Sequence, residues 1–208
     1  MDNHPTTQPY TTAIFLSTFS LLAALLITPP MIWHLTNRNT GATSLILWLL
    51  LLNLQSFLNA LLWSHDNTSQ WFDGNVLCDI EVKIMIASLV GVPSSVASVL
   101  RALAQVMNTE KASLGLSKSQ KRRGYAVDLA WCWGFPLLQM FFHYLVQIER
   151  YYVMGITGCV PAADDSWVTD LLILTPPVVW TLVGGYYSGE FLILSFFHVL
   201  VESFGWLT

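Results

Sequence analysis

Long apolar runs alternate with short polar breaks along the chain. The first run, Thr11 to about Trp33, carries no charged residue and is long enough to cross a bilayer as a helix. Pro29-Pro30 near its end is expected to kink or unwind it. A short turn with His34, Asn37, Arg38 and Gly41 follows. The second run, about Thr43 to Trp63, places Asn53, Ser56 and Asn59 at three-residue intervals, roughly one helix face. In lipid such a face turns toward other helices. Residues 64–77 read as a polar, acidic loop. A third helix is expected from Cys78 to about Val106, and from Cys78 to Arg101 it rises about 35 Å. Gly91-Val92-Pro93 marks a kink there, with Ser94, Ser95 and Ser98 at hand for freed backbone groups. After a basic loop over 108–124, a fourth helix spans about Tyr125 to Val146 with Pro136 inside it. A loop over 149–168 leads to a fifth helix, about Thr169 to Tyr187, carrying Pro176-Pro177 and Gly184-Gly185. Residues 188–208 are apolar but contain Glu190, His198 and Glu202. They extend the fifth helix or lie at the interface, being short for a sixth span. The fold class is therefore all-α, a polytopic transmembrane helix bundle with about five spanning helices.

Composition agrees. Of 208 residues, 54% are hydrophobic and 11% charged, against about a quarter charged in soluble domains. Mean hydropathy is +0.54. The nine Trp suit bilayer interfaces. Residues 1–10 lack the positive start of a signal peptide, so the first apolar run is expected to remain as a span. The one basic cluster, Lys111, Lys118, Lys121, Arg122 and Arg123, is too short to suggest a nucleic-acid partner. It does set orientation. The N-terminal tail and the 64–77 loop have no Lys or Arg, and the 149–168 loop has only Arg150. The expectation is an outer N-terminus and a cytosolic basic loop.

Cys78 and Cys159 then both lie on the oxidising side. They form a disulfide or stand as two free thiols. Cys132 falls inside the fourth helix. Asp79 and Lys83, one turn apart, make either an ion pair at the helix mouth or, with Glu81, the lining of a ligand vestibule. The same three charges would serve a small transporter as a coupling site. Gln139, His143 and Gln147 form a stripe that either hydrogen-bonds between helices or touches a ligand. Asp128 is expected to answer Lys121–Arg123. The basic loop is a topology signal or a docking surface for a cytosolic partner, and Arg101 is a snorkelling residue or part of that surface. Asn67-Thr68-Ser69 is a glycosylation sequon beside a helix end. No catalytic signature, metal-ligand spacing or cofactor motif occurs, so an enzyme is not expected.

The runs WHLTNRN (33–39), LLLLNLQSFLNALLW (49–63), CDIEVKI (78–84), GVPSSVASVLRAL (91–103), KRRGYAVDLAWCWGFPLLQMFFHYLVQIERYYVMGITGC (121–159) and LTPPVVW (174–180) resemble the fungal a-factor-type pheromone receptors, the lipopeptide branch of the class D G-protein-coupled receptors. The likeness runs in order over about residues 12–188. It implies a multi-pass, seven-helix receptor of the plasma membrane. It implies a prenylated peptide pheromone as ligand and a heterotrimeric G protein as cytosolic partner. Cys78 and Cys159 match the family's outer cysteines, and Asp79 and Lys83 its CDI-x-x-K motif. Lys83, Asn59, His143 and Gln147 become candidate ligand contacts. Arg101, Lys121, Arg122 and Arg123 become candidate G-protein-facing residues.

The end departs from the family, which continues into a basic third cytoplasmic loop and two more helices. Residues 1–188 are expected to form the receptor domain. Residues 189–208 are expected to be an atypical apolar tail, from translated intron or from a truncated isoform. The alternative to a signalling receptor is a non-signalling fragment that associates with other receptor copies.

Overall fold

The computed structural model describes residues 8–107 and 117–205, with residues 197–205 in backbone only. Lys111 and the Leu207-Thr208 end lie outside these residues. Five long helices make the bundle: α1 (Thr11–Thr36), α2 (Thr40–Leu62), α3 (Asn75–Met107), α4 (Lys118–Val146) and α5, which begins at Trp167 and reaches Gly205. Four of them (α1, α2, α4 and α5) are long and apolar enough to cross a membrane. The 33-residue α3 is the central one, packed on α2, α4 and α5.

The helix starts follow capping chemistry. Asn39 accepts a hydrogen bond from the Ala42 N–H at 3.2 Å, so α2 starts at Thr40, earlier than periodicity indicates. Ser117 and Gln120 form a reciprocal capping box, which starts α4 at Lys118. Lys121, Arg122 and Arg123 are therefore helical and exposed, a correction to the loop expected there. Gly74, at φ +67°, turns the chain into α3, and the Cys78 N–H donates to its carbonyl at 2.7 Å.

Helix continues through each proline within α1, α3, α4 and α5. α1 continues through Pro29-Pro30 without unwinding, because proline's fixed φ is itself helical and only single backbone bonds are lost. α3 continues through Pro93, where the Ser94 and Ser95 hydroxyls donate to the Gly91 carbonyl at 3.2 and 2.6 Å. In α4 a π-turn, Ala130–Gly134, immediately precedes Pro136. In α5 a π-turn, Asp170–Leu174, precedes Pro176-Pro177. The helix then runs on past Ser188 with no break, so residues after 188 extend α5.

Between α4 and α5 the expected loop contains an antiparallel hairpin, β1 (Tyr152–Met154) and β2 (Gly158–Val160). Tyr152 pairs with Val160 and Met154 with Gly158. The hairpin lies over the Trp63 end of α2, where the Ile156 N–H bonds the Trp63 carbonyl at 2.8 Å. The Tyr10 N–H reaches the Ser64 carbonyl at the same end, also at 2.8 Å. The bundle thus has a hairpin-covered end and an opposite end bearing the α1–α2 turn and the start of α4.

Candidate functional site

The covered end is pinned by a disulfide between Cys78 and Cys159, with Cα atoms 5.2 Å apart. Trp63, Cys78, Val82 and Cys159 form a buried cluster beneath the hairpin. The Trp63 indole N–H donates to the Phe72 carbonyl at 3.1 Å. Asn59 is buried there too, and its amide donates to the Thr157 carbonyl at 2.8 Å. Gly158, at φ +74°, lies so close that a Cβ would overlap the Asn59 side chain. Asn59 therefore seats the hairpin.

Deeper, α3 and α4 share a polar group. From Asn75 to Lys83 the helix rises about 12 Å. The Lys83 ammonium stands 3.0 Å from His143 Nδ1 and 3.0 Å from Gln147 Oε1. It also lies over the Tyr144 ring at 5.9 Å. Lys83 is half-buried, Gln147 half-buried and His143 fully buried. Because an ammonium only donates, His143 Nδ1 accepts and the ring proton sits on Nε2. That Nε2 is buried without a partner among the described residues.

The charges at this end divide differently from expectation. Asp79 pairs with Arg150 through two guanidinium contacts, not with Lys83. Arg150 sits just past α4 and reaches Asp79 across the α3–α4 seam, where it offers a forked donor that a lysine cannot. Glu81 turns away from Lys83, since residues two apart on a helix do not share a face. It is 3% exposed and faces the Asn59 side chain rather than Lys83. Asp79, Glu81 and Lys83 thus form no single ion-coupling site.

At the other end Arg101 of α3 pairs with Asp128 of α4 at 2.6 Å and lies over the Trp131 ring at 5.2 Å. Ser98 donates to the same Asp128 oxygen. Asp128 does not answer Lys121–Arg123; those side chains sit on the exposed face of α4. Arg101 turns into the bundle, its side chain 14% exposed. No cluster able to hold a metal occurs among the described residues.

Of the four candidate ligand contacts, Lys83, His143 and Gln147 come together, while Asn59 belongs to the hairpin seat. Sequence reading missed the hairpin and Tyr144. The hairpin's signal was present: Tyr151–Val160 mixes aromatic and β-branched residues with Gly155 and Gly158. A shallow apolar recess of about 540 Å³ on the rim, lined by Phe72, Val76, Leu77 and Ile80 among others, shares no residue with the Lys83 group.

Residues 15–201 match the family described as STE3, pheromone A receptor. The pheromone a factor receptor of Saccharomyces cerevisiae is 31% identical over 168 residues, 81% of this chain and 35% of the relative. Pheromone receptor 1 of Mycosarcoma maydis is 28% identical over 170 residues, 82% of this chain and 46% of the relative. The pheromone M-factor receptor of Schizosaccharomyces pombe is 25% identical over 189 residues, 87% of this chain and 48% of the relative. The chain spans about a quarter to a half of the length of the curated relatives it matches. No solved structure matches the chain.

Proposed function

The chain belongs to the pheromone A receptor family, and from that premise we propose that it takes part in mating as a plasma-membrane receptor for a lipid-modified peptide pheromone, acting through a heterotrimeric G protein. Its relatives are receptors, not enzymes. In this reading all five helices span the bilayer, the N-terminus and hairpin face outward, and the start of α4 faces the cytosol. The basic residues support that orientation: Lys118, Lys121, Arg122 and Arg123 all lie on the same end as the Arg38 turn.

The observation that carries the ligand reading is the meeting of Lys83, His143 and Gln147 from two helices below a disulfide-pinned cover. A buried polar group between helices is expensive in a bilayer and is retained where something polar is recognised. On the cytosolic side, Lys121, Arg122 and Arg123 form the contact for the G protein. Arg101 contributes indirectly, by holding α4 through Asp128.

The test is binding of a radiolabelled S-farnesyl peptide, purified from the medium of cells of the opposite mating type, to membranes containing the chain. Saturable binding that falls at least tenfold in Lys83→Ala and His143→Ala supports the reading. Binding untouched by both substitutions, with the disulfide intact, overturns it.

A further inference from the structure

The Lys83 ammonium has three N–H donors and two neutral acceptors, His143 Nδ1 and Gln147 Oε1. No carboxylate lies within ion-pair distance of it among the described residues. Of the acids on its own helix, Asp79 one turn above is held by Arg150, and Glu81, two residues away, is buried on a different face. The neighbours add further donors. Gln147 accepts through its oxygen and so keeps its NH₂ free, and His143 keeps an unpartnered Nε2–H in a fully buried ring. The Tyr144 face steadies the cation without neutralising it. A free surface lysine is a mobile, hydrated charge; this one is fixed by two hydrogen bonds and an aromatic face, with one donor left over.

We propose that the Lys83–His143–Gln147 group is an anion site that receives a carboxylate of the peptide ligand, an aspartate or glutamate side chain. The inference deepens the receptor reading and rests on it for the peptide. The chemistry is that of a charge-assisted hydrogen bond between a preorganised ammonium and a carboxylate, which the isosteric amide cannot match. An anionic lipid headgroup offers the same chemistry. The site's position argues for the peptide: Lys83 faces α4 below the disulfide, between two helices.

The experiment places the full chain in nanodiscs of uncharged phosphatidylcholine. The first probes are N-trifluoroacetyl-aspartate methylamide and its asparagine counterpart, followed by the line width of their fluorine resonance. The expected result is at least tenfold tighter binding of the acid. Lys83→Gln should abolish the preference and Lys83→Arg should keep it, with the Cys78–Cys159 bridge checked by gel mobility in each. Equal binding of the two probes, or a preference that survives Lys83→Gln, overturns the proposal. Nanodiscs doped with phosphatidylglycerol form the second arm: if that lipid displaces the acid from Lys83, the site is a headgroup site and the proposal fails. An S-farnesyl hexapeptide pair differing only in Asp against Asn forms the third. Farnesyl-dependent binding with no acid preference sinks the anion site and leaves the receptor reading standing. Acid preference with no farnesyl dependence upholds the anion site and sinks the lipopeptide reading.

Discussion

The Trp48 indole N–H donates to the carbonyl of Cys132 at 3.2 Å, the carbonyl that Pro136 leaves without its regular helical donor. The pattern recurs one helix further on. The buried Gln139 amide of α4 donates, at 3.2 Å each, to the carbonyls of Leu172 and Ile173. Those are the partners that Pro176 and Pro177 cannot serve. At Pro136, Pro176 and Pro177 the proline gap in one helix is thus filled by a side chain from the helix packed against it. In a bilayer no water reaches such carbonyls, so the prolines specify helix neighbours.

Replacing Trp48 with Phe keeps an aromatic ring but orphans the Cys132 carbonyl. The expected cost is about 1–3 kcal/mol, read as a lower midpoint of thermal unfolding in nanodiscs. Gln139→Leu should cost at least as much, because it leaves two carbonyls unpaired.

Trp48 also lies against Gly91, where a Cβ would overlap its indole ring. Gly91→Ala alone should destabilise by about 1–3 kcal/mol through overpacking. Combined with Trp48→Leu, the loss should be clearly smaller than the sum of the two single losses. Strict additivity in thermal unfolding would show that the two residues do not touch.

The Cys78–Cys159 bridge closes a loop with a sequence separation of 81. Chain-entropy arguments assign such a loop about 4 kcal/mol. Cys78→Ser, Cys159→Ser and the double variant should therefore be equally destabilised, and all three should lose the mobility difference between reduced and non-reduced gels. A double variant much worse than either single one would contradict a shared bond.

Arg101 and Asp128 are partly buried, with side-chain exposures of 14% and 22%. Removing either charge leaves the other in a poorly solvated place. Asp128→Asn and Arg101→Gln should each destabilise, and a double-mutant cycle should return a coupling of about 1–2 kcal/mol. Lys121→Gln, on the exposed face of α4, should leave the unfolding midpoint within measurement error.

Much of the fold was legible because lipid imposes a simple rule: a spanning helix must be long and apolar. That rule found all five helices to within a few residues at most of their starts. It missed the starts of α2 and α4, where capping by Asn39 and by Ser117 with Gln120 overrides the apolar pattern. The Gln139, His143 and Gln147 stripe was visible as four-residue spacing, but spacing cannot say which helix a face meets. Gln139 went to α5, while His143 and Gln147 went to α3. The ion pairs were misread for a related reason. Sequence proximity favoured Asp79 with Lys83 and Asp128 with Lys121–Arg123. The actual partners, Arg150 and Arg101, are distant in sequence and brought close by helix packing.

The bridge between Cys78 and Cys159 also sets an order of assembly. At a synthesis rate of about 5–20 residues per second, the thiol at 78 waits roughly 4–16 s before its partner has even been made. During that interval α4 must thread across the bilayer, since the second cysteine emerges on the far side of it. In the proposed orientation, a nascent chain that stalls or mis-inserts α4 leaves the Cys78 thiol unclaimed on the oxidising side. In that orientation, closing the bridge requires the insertion of a helix to which neither cysteine belongs.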